Sequence, residues 1–246
     1  MIICHSRQFI FVHIHKFAGT SISAAIEPSL SRNDVVLGGM NDDQFNHGGI
    51  QSLGLHKHST AQEIRNALGA ETWDSYFKFS TVRHPIHRLI SFYEFIRRVH
   101  DQNRSSSIFT ALSEKVGMPS KTAPAYPDEE PWTWPGMKAH LESGDFSEFI
   151  RSNHLKQEQG INPQTRALTD GHGDLLVNHV VKVEQLESEW SNLGTRIGVS
   201  AELNFANESP RQFYNVRDYL QDGDLEYLKS FYADDFTLFE YSGLRF

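Results

Sequence analysis

A short apolar run, Phe9-Ile10-Phe11-Val12, extends to Ile14 and meets Lys16. Gly19-Thr20-Ser21 then opens Ile22-Ser23-Ala24-Ala25-Ile26, which reads as helix until Pro28. Aromatic and β-branched residues in such a run predict a buried strand. A strand feeding a helix through a glycine loop is a building unit of parallel sheets, and the alternation continues along the chain. Val35-Val36-Leu37 predicts a second strand, closed by Gly38-Gly39, and a polar loop follows over about residues 38–55. Ser59 and Thr60, with Glu63 four and three positions on, mark a helix start, and Gly69 marks its stop. Phe77–Val82 predicts a third strand. Pro85 opens a long helix, with Ile86, Leu89, Ile90, Tyr93 and Ile96 at helical spacing and His87, Arg88, Ser91 and Arg98 on the opposite face. His179–Val183 predicts a fourth strand, with a helix over about 184–193 after it. Leu225, Leu228, Phe231 and Tyr232 fall in helical phase. The class predicted is α/β with a largely parallel sheet.

Composition narrows what this frame can do. The chain has 246 residues, a length that suits one large domain or two small ones; no internal repeat is found, and a single domain over 1–246 is the expectation. Residues 117–136 hold most of the prolines with Trp132 and Trp134, and read as a loop. The tryptophans there suit either stacking on an acceptor or anchoring the loop to the core. A net charge of −8 argues against a wide basic face for nucleic acid, while leaving room for a basic pocket. The single cysteine, Cys4, excludes a disulfide framework and a Cys-built zinc site. No stretch reaches the length of a membrane span and no signal-peptide pattern opens the chain, so a cytoplasmic location is expected. Oligomeric state is not legible.

Chemistry concentrates at two strand ends. At the first, Lys16-Phe17-Ala18-Gly19-Thr20-Ser21 sets a cation, a tight backbone and two hydroxyls at a helix start, where free N–H groups favour an anion. The order is not that of a Walker A loop, because the lysine precedes the glycine by three positions. A magnesium-dependent nucleotide hydrolase is therefore disfavoured. At the second, Arg83 ends a strand, and Arg88 and Ser91 share one face of the helix that follows, where a guanidinium and a hydroxyl can grip one phosphate. Two anion-ready strand ends point to a ligand with two anionic groups. His13-x-His15 and His56-x-His58 could each present two rings to a metal. No third ligand follows by spacing, so no metal is expected.

These stretches resemble the sulfotransferases that use 3′-phosphoadenosine 5′-phosphosulfate (PAPS). Lys16-Phe17-Ala18-Gly19-Thr20-Ser21 is similar to that family's phosphosulfate loop. Arg83-His84-Pro85-Ile86-His87-Arg88-Leu89-Ile90-Ser91-Phe92-Tyr93 is similar to its 3′-phosphate motif. Leu55-His56-Lys57-His58-Ser59-Thr60-Ala61 looks like the histidine segment of the carbohydrate and heparan-type branch. Asn162-Pro163-Gln164-Thr165, Val181-Lys182-Val183-Glu184 and Asp234–Tyr241 look similar too. His15 stands where that branch usually has proline, and Phe17 where a smaller residue is common.

The resemblance implies a P-loop-like, open, mostly parallel sheet flanked by helices. It implies transfer of a sulfuryl group from PAPS to a hydroxyl or amine acceptor, with a carbohydrate as first choice, leaving adenosine 3′,5′-bisphosphate. Lys16 would stabilise the leaving phosphate, and Gly19, Thr20 and Ser21 would hold the phosphosulfate. Arg83 and Ser91 would hold the 3′-phosphate, joined by Arg211 from Asn207-Glu208-Ser209-Pro210-Arg211. His58 would take the acceptor's proton with His56 assisting. The alternatives are a nucleotide-dependent kinase and an inactive relative that binds PAPS or another anion.

Overall fold

A computed structural model describes residues 1–15, 19–39, 53–116, 131–203 and 214–241, with backbone alone for 103–116. In chain order the elements are β1 (Ile2–Cys4), β2 (Phe9–Val12), α1 (Gly19–Ile26), β3 (Val35–Val36), α2 (Ala61–Leu68) and α3 (Ala70–Ser75). Then come β4 (Phe77–Val82), α4 (Pro85–Val116), α5 (Pro135–Glu142), α6 (Phe146–Arg151) and α7 (Thr165–Leu168). β5 (His179–Lys182), α8 (Leu186–Ile197), α9 (Asp224–Phe231) and α10 (Ala233–Leu238) complete them. The five strands form one sheet in the order β3-β1-β2-β4-β5. β2, β4 and β5 run parallel, while β1 lies antiparallel to both β2 and β3.

The sheet is covered on both faces, which is why its central strands are continuously apolar. Ile3, Ile10, Val12 and Val82 point to one side, packed with Ala61 and Ile64 of α2 and Trp73 of α3. Ile2, Phe9, Phe11, Phe79 and Val181 point to the other, packed with Ile22 and Ile26 of α1 and Leu186 and Trp190 of α8. All four residues of β2 are buried. Burying each such side chain is worth about 1.5–3 kcal/mol, so β2 is an anchored strand whose carboxyl end is a firm base for a loop. A third apolar cluster joins α4, α5, α6 and α9 around Phe149 and Tyr232.

Several sequence-based boundaries need correction. β1 carries no detectable periodicity in three residues, and the sequence predicts no strand there. β2 ends at Val12 instead of Ile14, and the helix after β5 spans Leu186–Ile197 instead of about 184–193. The expected loop over 117–136 gives way at its end to a 3-10 turn, Pro131–Thr133, and to α5, whose first residue is Pro135. Residues 117–130 of that loop lie outside the described residues. Tyr232 does not continue α9. It is fully buried at φ −107° and ψ 25°, between α9 and α10.

Candidate active site

β2 and β4 are adjacent and parallel, with Val12 opposite Ser80. The Ser80 hydroxyl donates to the Val12 carbonyl at 2.7 Å and ties the two strand ends together. From β2 the chain passes through α1 toward β3, on one side. From β4 it passes through α4 toward β5, on the other. Adjacent strands whose connections diverge leave a crevice beyond their carboxyl ends, the usual ligand position in open α/β sheets. Both predicted anion loops start from this pair of strands.

Lys16 lies outside the described residues, as do Phe17 and Ala18. Gly19, Thr20 and Ser21 form the first turn of α1, so their N–H groups have no intrahelical acceptor. No acidic side chain occupies that turn. Gly19 is required by packing: a β-carbon there would overlap His13 Nε2. His13 cannot yield, because its ring is only 4% exposed and stacks on Phe11, with centroids 5.6 Å apart. Burial holds the His13 ring well below the usual histidine range, and it is neutral. Its Nδ1 finds no partner among the described residues. That role for Gly19 is not legible in the sequence, where glycine signals only a tight turn.

His58 meets the same strand end. Its Nδ1 lies 3.1 Å from the His13 carbonyl oxygen. A carbonyl only accepts, so Nδ1 carries the hydrogen and Nε2 keeps the lone pair, the tautomer a proton acceptor needs. The His58 ring stacks on His15, with centroids 3.4 Å apart at 27°, and meets His13 edge-on at 4.9 Å. Burial first, then the neighbouring His15, push the His58 pKa down to about 2, against the opposing pull of the His13 carbonyl. His56 does a different job. It is exposed, and its Nδ1 accepts the His58 N–H at 3.2 Å. Its backbone exchanges two bonds with Ser59, each 3.0 Å, closing the turn that presents His58.

At the end of β4, the Gln164 side chain bonds both backbone groups of Arg83 at 2.9 Å. Gln164 is held by Asp235, fully buried, whose carboxylate accepts from Gln164 N, Gln164 Nε2 and Thr165 N. Glu184 accepts the next backbone N–H, that of His84, at 2.8 Å, and the Tyr241 hydroxyl at 3.3 Å. The three softer family-like segments thus converge on the backbone around Arg83. The Arg83 guanidinium is half-buried and makes no hydrogen bond or ion pair among the described residues. Burial lowers its pKa, opposed by Glu184, Tyr214 and Tyr241, and it stays charged. The half-buried Ser91 hydroxyl, two turns along α4, has no hydrogen-bond partner among the described residues either.

Arg88 departs from the sequence reading. It is 2% exposed, and it donates to the carbonyls of Asn162 at 2.6 Å and Gly160 at 2.5 Å. It is a scaffold cation and offers nothing to a phosphate beside Ser91. Arg211 lies outside the described residues. Trp134 stacks on Phe95 at 6.3 Å and anchors its segment, while Trp132 is 53% exposed. Among the described residues, no group of three histidine, cysteine or carboxylate side chains is placed to hold a metal ion.

Two anion-ready β-to-α junctions on adjacent parallel strands, with a neutral histidine beside the first, make an arrangement suited to group transfer from a doubly anionic donor. A sequence model described as "Sulfotransferase family" matches residues 1–242 of the chain. No curated protein and no solved structure matches it.

Proposed function

We propose that this chain, which belongs to the sulfotransferase family, transfers a sulfuryl group from PAPS to a hydroxyl or amine, with a carbohydrate as the first acceptor class to test. The observation that carries this reading is the half-buried Arg83, whose guanidinium has no partner among the described residues and whose backbone is fixed by Gln164 just past the end of the strand next to the one that leads to Lys16. A charge held this way is suited to one phosphate of a bisphosphorylated nucleotide, with Ser91 and Arg211 completing its shell. Lys16 and the first turn of α1 suit the other end.

In the reaction the acceptor oxygen or nitrogen attacks sulfur in line. The bond from sulfur to the bridging phosphate oxygen breaks, and its electron pair leaves with adenosine 3′,5′-bisphosphate. The acceptor's proton passes to His58 Nε2. Catalysis of this kind rests on positioning and charge stabilisation. Lys16 neutralises the leaving oxygen, and Gly19, Thr20 and Ser21 hold the phosphosulfate with N–H and hydroxyl donors. His56 supports the turn behind His58. No metal is required by these steps. No helix among the described residues is long and apolar enough to cross a membrane.

Calorimetric titration with adenosine 3′,5′-bisphosphate and with ATP–magnesium tests the reading. Tight binding of the bisphosphate without metal supports it. Binding of ATP–magnesium alone would replace it with a kinase. An acceptor screen by mass, seeking a gain of one SO₃, then identifies the acceptor.

A further inference from the structure

We propose that His15 is a positioning residue for the proton acceptor: its ring, set between His58 and the turn at Gly160, forms with His58 a stacked pair in which a proton on one ring disfavours a proton on the other, so that His15 sets how readily His58 takes the acceptor's proton. This rests on the reading of His58 as the base.

Three observations carry it. The two rings lie face to face, with centroids 3.4 Å apart. Two imidazolium charges at that separation repel strongly, so a proton on one ring disfavours a proton on the other. His15 is also backed from behind. A β-carbon on Gly160 would stand 3.7 Å from His15 Cγ, so the His15 ring lies against that turn. The turn is fixed in its place by the Arg88 bond to the Gly160 carbonyl. Finally, the Nδ1 hydrogen of His58 is committed to the His13 carbonyl, which leaves Nε2 as its one basic atom.

The charged and titratable surroundings agree with this assignment. His58 faces the neutral His13 ring at the end of β2, Lys57 on its own turn and the Met1 amino group at the start of β1. Lys57, the Met1 amino group and, most strongly after burial, His15 disfavour a charge on His58, and the His13 carbonyl favours it. The Glu158 carboxylate, on the turn behind His15, accepts the N–H groups of Gly136 and Gly160.

The test is a histidine Cε1–H titration by NMR on the full chain, for wild type, His15→Phe and His15→Gln. Phenylalanine keeps a flat ring in the stack but takes no proton, and glutamine provides a second reading should the first variant fold poorly. The His58 midpoint is expected to rise by about one pH unit or more in both variants. A midpoint unchanged or lowered in the folded variants overturns the proposal. The titration is independent of the functional reading. Failure of adenosine 3′,5′-bisphosphate to bind wild type would remove the sulfotransferase assignment and leave the measured coupling between the rings to stand or fall by itself.

Discussion

The side-chain amide of Gln164 holds Arg83 by both of its backbone hydrogen-bonding groups, accepting from its N–H and donating to its carbonyl at 2.9 Å each. The arginine that follows β4 is therefore aimed by a residue 81 positions away. Replacing Gln164 with alanine removes both bonds and leaves two backbone groups and the buried Asp235 carboxylate short of partners. Each unsatisfied group costs about 1–3 kcal/mol. Affinity for adenosine 3′,5′-bisphosphate, measured by calorimetry, is expected to fall at least about tenfold. Gln164→Glu should behave similarly, because a carboxylate cannot donate to the Arg83 carbonyl.

Lys16→Ala is expected to abolish sulfuryl transfer while the far-ultraviolet spectrum and the melting curve stay close to wild type. Removal of one charge-stabilising group at a transferring centre costs about 10²–10³ in kcat. Transfer at the wild-type rate in this variant would remove Lys16 from the mechanism.

Arg83 and Arg88 separate under substitution by methionine. Arg88→Met takes the Arg88 donor from the Gly160 and Asn162 carbonyls, at roughly 2–6 kcal/mol in total. A melting temperature lower by several degrees is expected, and bisphosphate binding suffers only as the fold loosens. Arg83→Met takes away a cation with no described partner, so the melting temperature barely changes while binding is lost. Paired thermal melts and titrations distinguish the two.

His84 should make stability depend on acidity. It is buried, both ring nitrogens lack partners among the described residues, and its neighbours include Phe236, Tyr241 and His87. Burial first, then His87 and Arg83, lower its pKa from 6.5 to about 4. Below pH 6.5 the unfolded chain takes up this proton and the folded chain does not. Stability therefore falls as pH drops from about 6.5 to about 4, by about 3 kcal/mol over the full interval. His84→Phe removes that contribution. Thermal melts at pH 7 and pH 5 should differ by less in the variant than in wild type.

Much of this architecture is written in local pattern. β2 and β4 are apolar runs, Pro85 sits at the start of α4, and Thr60 and Glu63 form the capping box that their spacing predicts. The two candidate anion junctions stand out for the same reason, since each is a contiguous motif. α5 and α6 carry local signals of the same kind. Pro135 is placed as Pro85 is, and Asp145 caps α6 by accepting the Glu148 N–H. What no local pattern can reveal is the use of a residue whose partner is distant. Arg88 looks like a ligand until its two carbonyl acceptors, 72 and 74 residues on, are seen. Gln164, Glu184 and Asp235 stand in segments that look familiar, but only the fold shows that all three serve the backbone at Arg83 and His84. His15 and His58 are 43 positions apart in sequence, and only tertiary structure stacks them.

The pairing of Val12 with Ser80 has a consequence for the reach of the crevice. A strand can shift against its neighbour only in whole residues, about 3.3 Å at a time, and a shift of one would turn every buried side chain of β2 toward the wrong face. The spacing of the two strand ends that carry the candidate anion loops is therefore a quantised yardstick, set by the buried sheet.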